Sequence, residues 1–200
     1  MEIQILHWFE SLHNPVTDPI MYGITCLGNA GILWILIALA FLSIPLFKKD
    51  RKIGLSIAIA LILSLIMCNG IMKNLWARVR PFNVDTTFEN LYGVFNGIND
   101  WSFPSGHTSA SFAAALAIIL WDRKKGTVAV IMAALIAFSR LYLTVHYPTD
   151  VLASLVLGSL YGVAGYFITR LIMKKSQKAR KVFAEGESHK LLFSKAGEND

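Results

Sequence analysis

Charged residues are scarce in this 200-residue chain, at 16% of the sequence. A soluble domain usually carries about a quarter. Hydrophobic residues make up 54% of the chain, and the mean hydropathy is +0.51. This composition argues against an ordinary soluble protein and indicates a chain that lipid partly surrounds. Its length fits one domain.

Cysteine and metal-binding patterns are also sparse. The two cysteines, Cys26 and Cys68, lie inside apolar runs, with no CxxC or Cys/His spacing. The sequence shows no carboxylate cluster of the kind that holds Mg²⁺. We therefore expect two buried thiols and neither a metal site nor a cofactor. The amino terminus lacks the basic and then apolar pattern of a secretory signal peptide.

Five apolar stretches are present instead. They cover about residues 20–47, 53–76, 107–121, 127–142 and 151–173. A spanning helix needs about 20 residues, so the third and fourth stretches are marginal. Their alanine-rich segments suit close helix packing, and we expect them to span as well. The predicted fold is an all-α, membrane-embedded bundle with about five or six spanning helices, five of which these stretches supply.

The net charge of +6 is concentrated in three clusters. They lie within residues 48–52, 123–125 and 174–181, and five spans would place all three on one side. The positive-inside rule makes that side cytoplasmic. The basic residues therefore indicate topology rather than nucleic-acid binding. The opposite, outer side receives the loops at 78–106 and 143–150.

The two ends of the chain differ from its middle. Residues 1–14 mix apolar and polar side chains and predict an interfacial amphipathic helix, ended by Asn14-Pro15. Residues 174–200 predict a basic, polar cytoplasmic tail. The membrane domain is then residues 15–173.

Three polar stretches fall at the predicted outer face. They are residues 73–81, 104–107 and 139–150. Ionisable residues near membrane depth are costly and are functional hypotheses by default. Singly, each could be an interfacial anchor, a helix cap or a packed histidine. Arg78 lacks support from the other stretches and is assigned to the interface.

Together, these residues predict a phosphate-binding site. Fixed positive charge comes from Lys73, Arg80 and Arg140, since guanidinium and ammonium groups match phosphate oxygens. Ser105 and Gly106 stand where a helix should begin, and a helix amino terminus binds anions.

The same stretches supply two histidines. One of His107 and His146 can attack phosphorus while the other protonates the leaving oxygen. Asp150 follows His146 by four residues, so its carboxylate can share a helix face with His146 and orient its ring. These residue types predict phosphoryl transfer without a metal.

The spacing resembles that of the type 2 phosphatidic acid phosphatase (PAP2) superfamily, which includes the vanadium haloperoxidases. The family pattern is Lys-x6-Arg-Pro, then Pro-Ser-Gly-His, then Ser-Arg-x5-His-x3-Asp. This chain matches it at every position, from Lys73 and Arg80-Pro81, through residues 104–107, to Ser139-Arg140, His146 and Asp150.

The resemblance implies a role for each of these residues. His146 would be the nucleophile that forms a phosphohistidine, Asp150 would orient it, and His107 would act as acid and then base. The phosphate would be bound by Lys73, Arg80, Ser105, Gly106 and Arg140. It also implies a bundle of often six helices with the site near the outer leaflet.

The leading functional prediction is hydrolysis of a membrane lipid diphosphate or phosphomonoester. Undecaprenyl diphosphate is the first choice, followed by phosphatidic acid and phosphatidylglycerol phosphate. The alternatives are a vanadate-dependent haloperoxidase and a non-catalytic lipid-phosphate binder or transporter. The five apolar stretches argue against the former, and the intact histidines argue against the latter. The sequence does not indicate an oligomeric state.

Overall fold

The computed structural model describes residues 1–183, which contain helices and no strand. The α-helices are α1 Glu2–Glu10, α2 Thr17–Leu27, α3 Ile32–Ser43, α4 Arg51–Ser64, α5 Lys73–Trp76, α6 Pro81–Val84, α7 Gly106–Ile119, α8 Arg123–Tyr142, α9 Pro148–Lys175 and α10 Gln177–Phe183. A π-helical segment, Leu65–Met72, joins α4 to α5. Short 3-10 turns cover Asn29–Gly31, Pro45–Asp50 and Leu91–Gly93. The all-α prediction is confirmed.

The first apolar stretch is bent rather than straight. Helices α2 and α3 meet at 45° across the turn at Asn29–Gly31. Ala30 has a φ of 51° there, a left-handed conformation that an α-helix cannot continue through. Gly28, Asn29 and Gly31 mark this break in the sequence, but the hydropathy is high on both sides of it.

Helix length and apolar composition alone identify three or four candidate spans in the described chain. Among residues 1–183, three helical stretches are long and apolar enough, namely residues 45–84, α8 and α9, and the bent pair α2–α3 makes a fourth. Helix α7 has 14 residues, which extend only about 21 Å. Length therefore does not support the prediction that this third stretch spans the bilayer by itself.

The short α7 is instead the centre of the bundle. Its residues Ala113, Ala114, Ala115 and Ala117 are fully buried, and it packs against α4, α8 and α9. Close approach is possible because α9 presents Gly162, where an added Cβ would stand 2.5 Å from the Ala113 carbonyl oxygen. Small residues thus let protein rather than lipid surround α7, as the alanine-rich sequence suggested.

The basic clusters meet at one end of the bundle. Lys125 forms a 2.7 Å ion pair with Asp50, and the Lys52 ammonium lies 4.8 Å from the Trp121 ring centroid. Helix α10, which belongs to the third cluster, contacts α4. The loop at residues 85–105 and the turn at 143–147 lie at the other end, where α7 and α9 begin.

The segments at the two ends both contain helices that contact the bundle. Helix α1 is docked through Leu6 against Phe88 and Tyr147. The predicted tail at 174–200 begins as the last residues of α9, followed by α10, and its residues 184–200 lie outside the described part. Cys68 is buried as expected, but Cys26 is exposed.

We expect Gly162→Ala to destabilise the protein by roughly 1–3 kcal/mol, since its Cβ would overlap backbone atoms of α7. Thermal unfolding in detergent measures the change. The matched control is Gly23→Ala, whose Cβ meets nothing within 4 Å. Equal stability of the two variants would contradict the close α7–α9 contact.

Candidate active site

The three polar stretches converge at the end of the bundle opposite the basic clusters. Lys73 begins α5 directly after the π-helical segment, and such segments often occur at functional sites. Arg80 precedes α6, Arg140 lies in the last turn of α8 and His146 stands two residues before α9. Helix ends and short turns therefore position the whole site.

A cavity of about 580 Å³ brings the predicted residues together. Its polar end is formed by Lys73, Arg80, Gly106, His107, Arg140 and His146. The other two predicted residues, Ser105 and Asp150, lie behind this wall and are fully buried. The structure thus groups all eight residues, while their individual roles stay predictions.

The pair His146–Asp150 is the most deeply buried part of the site, with His146 only 1% exposed. The Asp150 Oδ2 atom lies 3.6 Å from His146 Nδ1. The Ser102 hydroxyl donates to Asp150 Oδ2 at 2.5 Å and lies 3.5 Å from His146 Nδ1. Asp150 therefore stands on the Nδ1 side of the ring, with Ser102 beside both groups.

The other ring nitrogen of His146 faces the cations. His146 Nε2 lies 3.2 Å from Arg80 Nη1. Burial, and then the charges of Arg80, Arg140 and Lys73, lower the pKa of His146 well below its ordinary value. The imidazole is consequently neutral at pH 7, which leaves the ring able to carry a lone pair on Nε2.

The two arginines are held by different partners. Arg80 donates from Nη1 to the Val145 carbonyl at 2.9 Å and from Nε to the Asp100 carbonyl at 3.1 Å. Arg140 donates from Nη1 to the Thr25 hydroxyl. Its buried Nε has no hydrogen-bond partner within residues 1–183. A buried, unpaired guanidinium N–H is costly and suits an oxyanion ligand.

Asp100 is an acidic neighbour of these cations that the sequence analysis did not identify. Its carboxylate pairs with Lys73 and accepts from Arg80 Nη2 at 2.5 Å. Burial opposes ionisation, but the bond from Lys73 and the charge of Arg80 outweigh it and hold the pKa of Asp100 at about 2. A carboxylate of the protein itself thus pairs with the two cations, Lys73 and Arg80.

The start of α7 forms the remaining wall. His107 Nε2 lies 3.0 Å from the Asn29 side-chain oxygen. A Cβ at position 106 would stand 3.0 Å from Asn69 Oδ1, so glycine permits this close approach. The Ser105 backbone N–H already donates to Ser154 Oγ at 2.7 Å. The hydroxyl of Ser105 is therefore the group of this residue that remains a candidate for phosphate binding.

The sequence motifs did not place several neighbours at the site. They are Thr25, Asn29, Arg78, Asp100 and Ser102. Arg78 had been assigned to the interface, but it bonds to Asp150. The position of Arg78, two residues before Arg80, was the signal that could have placed it near the site. Thr25 and Asn29 are distant from the motifs in sequence, and no local motif marks them.

Comparison with known proteins identifies the family of this chain. The PAP2 superfamily profile matches residues 52–176, and the chain belongs to that superfamily. It is a membrane protein and a phosphoric ester hydrolase of the PAP2 type. The family resemblance drawn from the motifs is confirmed.

Three relatives illustrate the range of the family. The chain is 29% identical to a lipid A 4'-phosphatase of Bacteroides thetaiotaomicron, over 95% of this chain and 86% of that one. It is 35% identical to undecaprenyl-diphosphatase BcrC of Bacillus subtilis, over 76% and 75%. A PAP2-type phosphatidylglycerolphosphate phosphatase structure from Bacillus subtilis aligns with a TM-score of 0.65 and 26% identity, over 87% and 85%.

Asp100→Asn should tighten inhibition by vanadate, because the cations lose an anion that competes with it. A half-exposed ion pair stabilises by about 0.2–1 kcal/mol, so the inhibition constant should fall by roughly 1.4- to fivefold. Inhibition of the purified enzyme measures the change. Asp85→Asn is the control, since Asp85 pairs with His7 away from the cations. Weaker inhibition of Asp100→Asn would show instead that Asp100 holds Lys73 and Arg80 in place.

Proposed function

We propose that this protein hydrolyses a membrane lipid diphosphate or phosphomonoester through a phosphohistidine at His146. The observation that carries the proposal is the buried, neutral His146, whose Nε2 faces a cavity lined by Lys73, Arg80 and Arg140. A neutral imidazole can attack phosphorus, and the fixed cations can stabilise the charge that develops on its equatorial oxygens.

The reaction would proceed in two steps. His107 carries a proton on both ring nitrogens at the start, which the negative charge of the bound lipid phosphate favours. His146 Nε2 attacks phosphorus, a P–N bond forms, and the bond from phosphorus to the leaving oxygen breaks while His107 donates a proton to that oxygen. His107 then takes a proton from water, and the resulting hydroxide attacks phosphorus and breaks the P–N bond. Inorganic phosphate leaves and both histidines return to their starting states.

The apolar part of the cavity supports a lipid substrate. Beyond the polar end, the cavity continues between α3 and α4. Its walls there include Ile35, Ala38, Leu39, Leu42, Ala58, Leu61, Ile62 and Leu65. Several of these side chains are also exposed on the bundle surface, where lipid would contact them. A long hydrocarbon tail can therefore reach this end of the cavity from the bilayer.

Undecaprenyl diphosphate is our first-choice substrate. The 35% identity to an undecaprenyl-diphosphatase over three quarters of both chains supports it. A lipid A phosphate is the second candidate, because a lipid A 4'-phosphatase is similar over 95% of this chain. A polar recess lined by Tyr22, Asn29 and Asn96 adjoins His107 and could hold the sugar of such a lipid.

Purified protein should release phosphate from at least one lipid of a panel. The panel contains undecaprenyl diphosphate, lipid A, phosphatidic acid and phosphatidylglycerol phosphate, and we expect the highest kcat/KM for the first. Vanadate should inhibit, because it mimics pentacoordinate phosphorus. An alkaline denaturing quench followed by mass spectrometry should find phosphate on His146.

The matched control for that assay is His146→Ala. It should abolish turnover while the protein keeps its thermal stability and still binds the lipid. Turnover that survives in His146→Ala would disprove the covalent mechanism. Release from none of the four lipids would sink the proposed substrate class.

We also propose that the site faces the extracytoplasmic side and that α10 is cytoplasmic. The three basic clusters lie at the end of the bundle opposite the site, and basic residues favour the cytoplasmic side. In this orientation the enzyme would act on lipids of the outer leaflet.

Cysteine labelling in intact cells tests this orientation. In a background with Cys26 and Cys68 replaced by alanine, a membrane-impermeant maleimide should label Thr86→Cys and not Lys178→Cys. Both positions are exposed on the protein surface, so each should react after the cells are broken. The reverse labelling in intact cells would place the site in the cytoplasm.

A further inference from the structure

Arg78 is bonded to the catalytic pair from the side that faces away from the cavity. Its Nη1 donates to Asp150 Oδ1 at 2.6 Å and to the Thr149 hydroxyl at 2.7 Å. Its guanidinium carbon stands 3.8 Å from the centroid of the Tyr147 ring, a favourable cation–π distance. Arg78 is not among the residues that line the cavity, so it can act on the reaction only through Asp150.

Asp150 needs such a partner because it is fully buried. Its Oδ2 accepts from Ser102 and from the Tyr147 backbone N–H, and both of these donors are neutral. Arg78 is the permanent cation that bonds to Asp150 within residues 1–183. A buried carboxylate left without its cation is strongly unfavourable.

We propose that Arg78 is a positioning residue, which fixes the Asp150 carboxylate behind His146 and offsets its negative charge, so that the His146 ring stays oriented for attack. This role rests on the proposed function, because it assumes that His146 attacks phosphorus. The residues that hold the phosphate itself are not involved.

The sign of the electrostatic effect follows from the charges. With Arg78 present, its positive charge offsets the negative charge of Asp150 as felt at His146. Without it, the unbalanced carboxylate favours a proton on either His146 or Asp150. The His146–Asp150 pair therefore takes up a proton at a higher pH. Activity that needs neutral His146 is then lost at a higher pH than in the wild type.

The other charges around the pair stay constant in this comparison. On the cavity side they are Lys73, Arg80, Asp100 and Arg140, with His107 across the cavity. On the far side, beyond Arg78, stands Glu2 of α1. A substitution at position 78 therefore isolates one charge in an otherwise fixed environment.

A purely structural role for Arg78 is the competing explanation. Its Nη2 donates to Glu2 at 2.5 Å, and Glu2 also accepts from the Thr149 hydroxyl at 2.7 Å. On that explanation, Arg78 serves only as the anchor of α1. Glu2→Gln is the matched control, because it weakens the anchor and leaves the Arg78–Asp150 bond in place.

The test compares Arg78→Met, Arg78→Lys and Glu2→Gln, using the panel lipid that the wild type hydrolyses fastest. Arg78→Met should lower kcat by about 10- to 100-fold, as outer partners of functional side chains do at metal sites. KM should change little, and the acid limb of the kcat profile should move to higher pH. Arg78→Lys should keep the limb near its wild-type position and recover part of kcat. Glu2→Gln should keep the wild-type kcat and the wild-type position of the acid limb.

A second readout does not depend on turnover. Histidine-specific ¹⁵N NMR, with His146 assigned through His146→Ala, should show the pair protonating at a higher pH in Arg78→Met. Unchanged titration and kcat in that variant would overturn the proposal. Equal losses in Glu2→Gln and Arg78→Met, with no movement of the acid limb, would assign Arg78 to anchoring alone.

The outcomes separate this proposal from the proposed function. A wild-type enzyme that forms no phosphohistidine would remove the function on which the proposal rests, whatever Arg78 does. If Arg78→Met does not fold, Arg78→Lys decides the matter. Wild-type kcat in the lysine variant would overturn the need for the two bonds that Arg78 makes to Asp150 and Thr149.

Discussion

The structure depends on holding three cations close together at one end of the bundle, largely away from water. Lys73, Arg80 and Arg140 are each at most 7% exposed, and like charges repel strongly where the dielectric constant is low. Backbone carbonyls at 100 and 145 and the hydroxyl of Thr25 bond to the two arginines. These groups are dipoles without net charge. The cluster therefore keeps its excess positive charge, and an anion with several oxygens can neutralise it.

The rest of the fold keeps this cluster rigid. Because α7 lies inside the bundle and packs closely on α9, Ser105 and most of α7 after it are buried. The π-helical segment before Lys73 and the bend between α2 and α3 both border the cavity. Irregular backbone is tolerated in a membrane protein where it borders a polar cavity.

The sequence predicted the fold class, which is confirmed, and it grouped the site residues, whose roles stay predictions. Lys73, Arg80, Arg140, His107, His146 and Asp150 stand at fixed spacings in local motifs, so no knowledge of distant packing was needed to group them. Asp100, Ser102, Asn29 and Thr25 have no such motif, because each reaches the site through its tertiary position. The bend after α2 escaped for a related reason, since hydropathy does not record a left-handed residue within an apolar run. The 14-residue α7 was taken as a span because apolar composition alone does not tell a lipid-facing helix from a protein-enclosed one.

The two carboxylates near the cations differ in a way that matters for catalysis. Asp100 is 54% exposed and pairs with the groups that a phosphate would use, so substrate can replace it and water can receive it. Asp150 is completely enclosed, and its oxygens are bonded by Ser102, Tyr147 and Arg78. A substrate anion cannot reach it, and its charge acts on His146 throughout the reaction. The three cations can therefore exchange the Asp100 carboxylate for another anion. The charge of Asp150 behind His146 would stay constant during this exchange, as the proposed covalent intermediate on His146 would require.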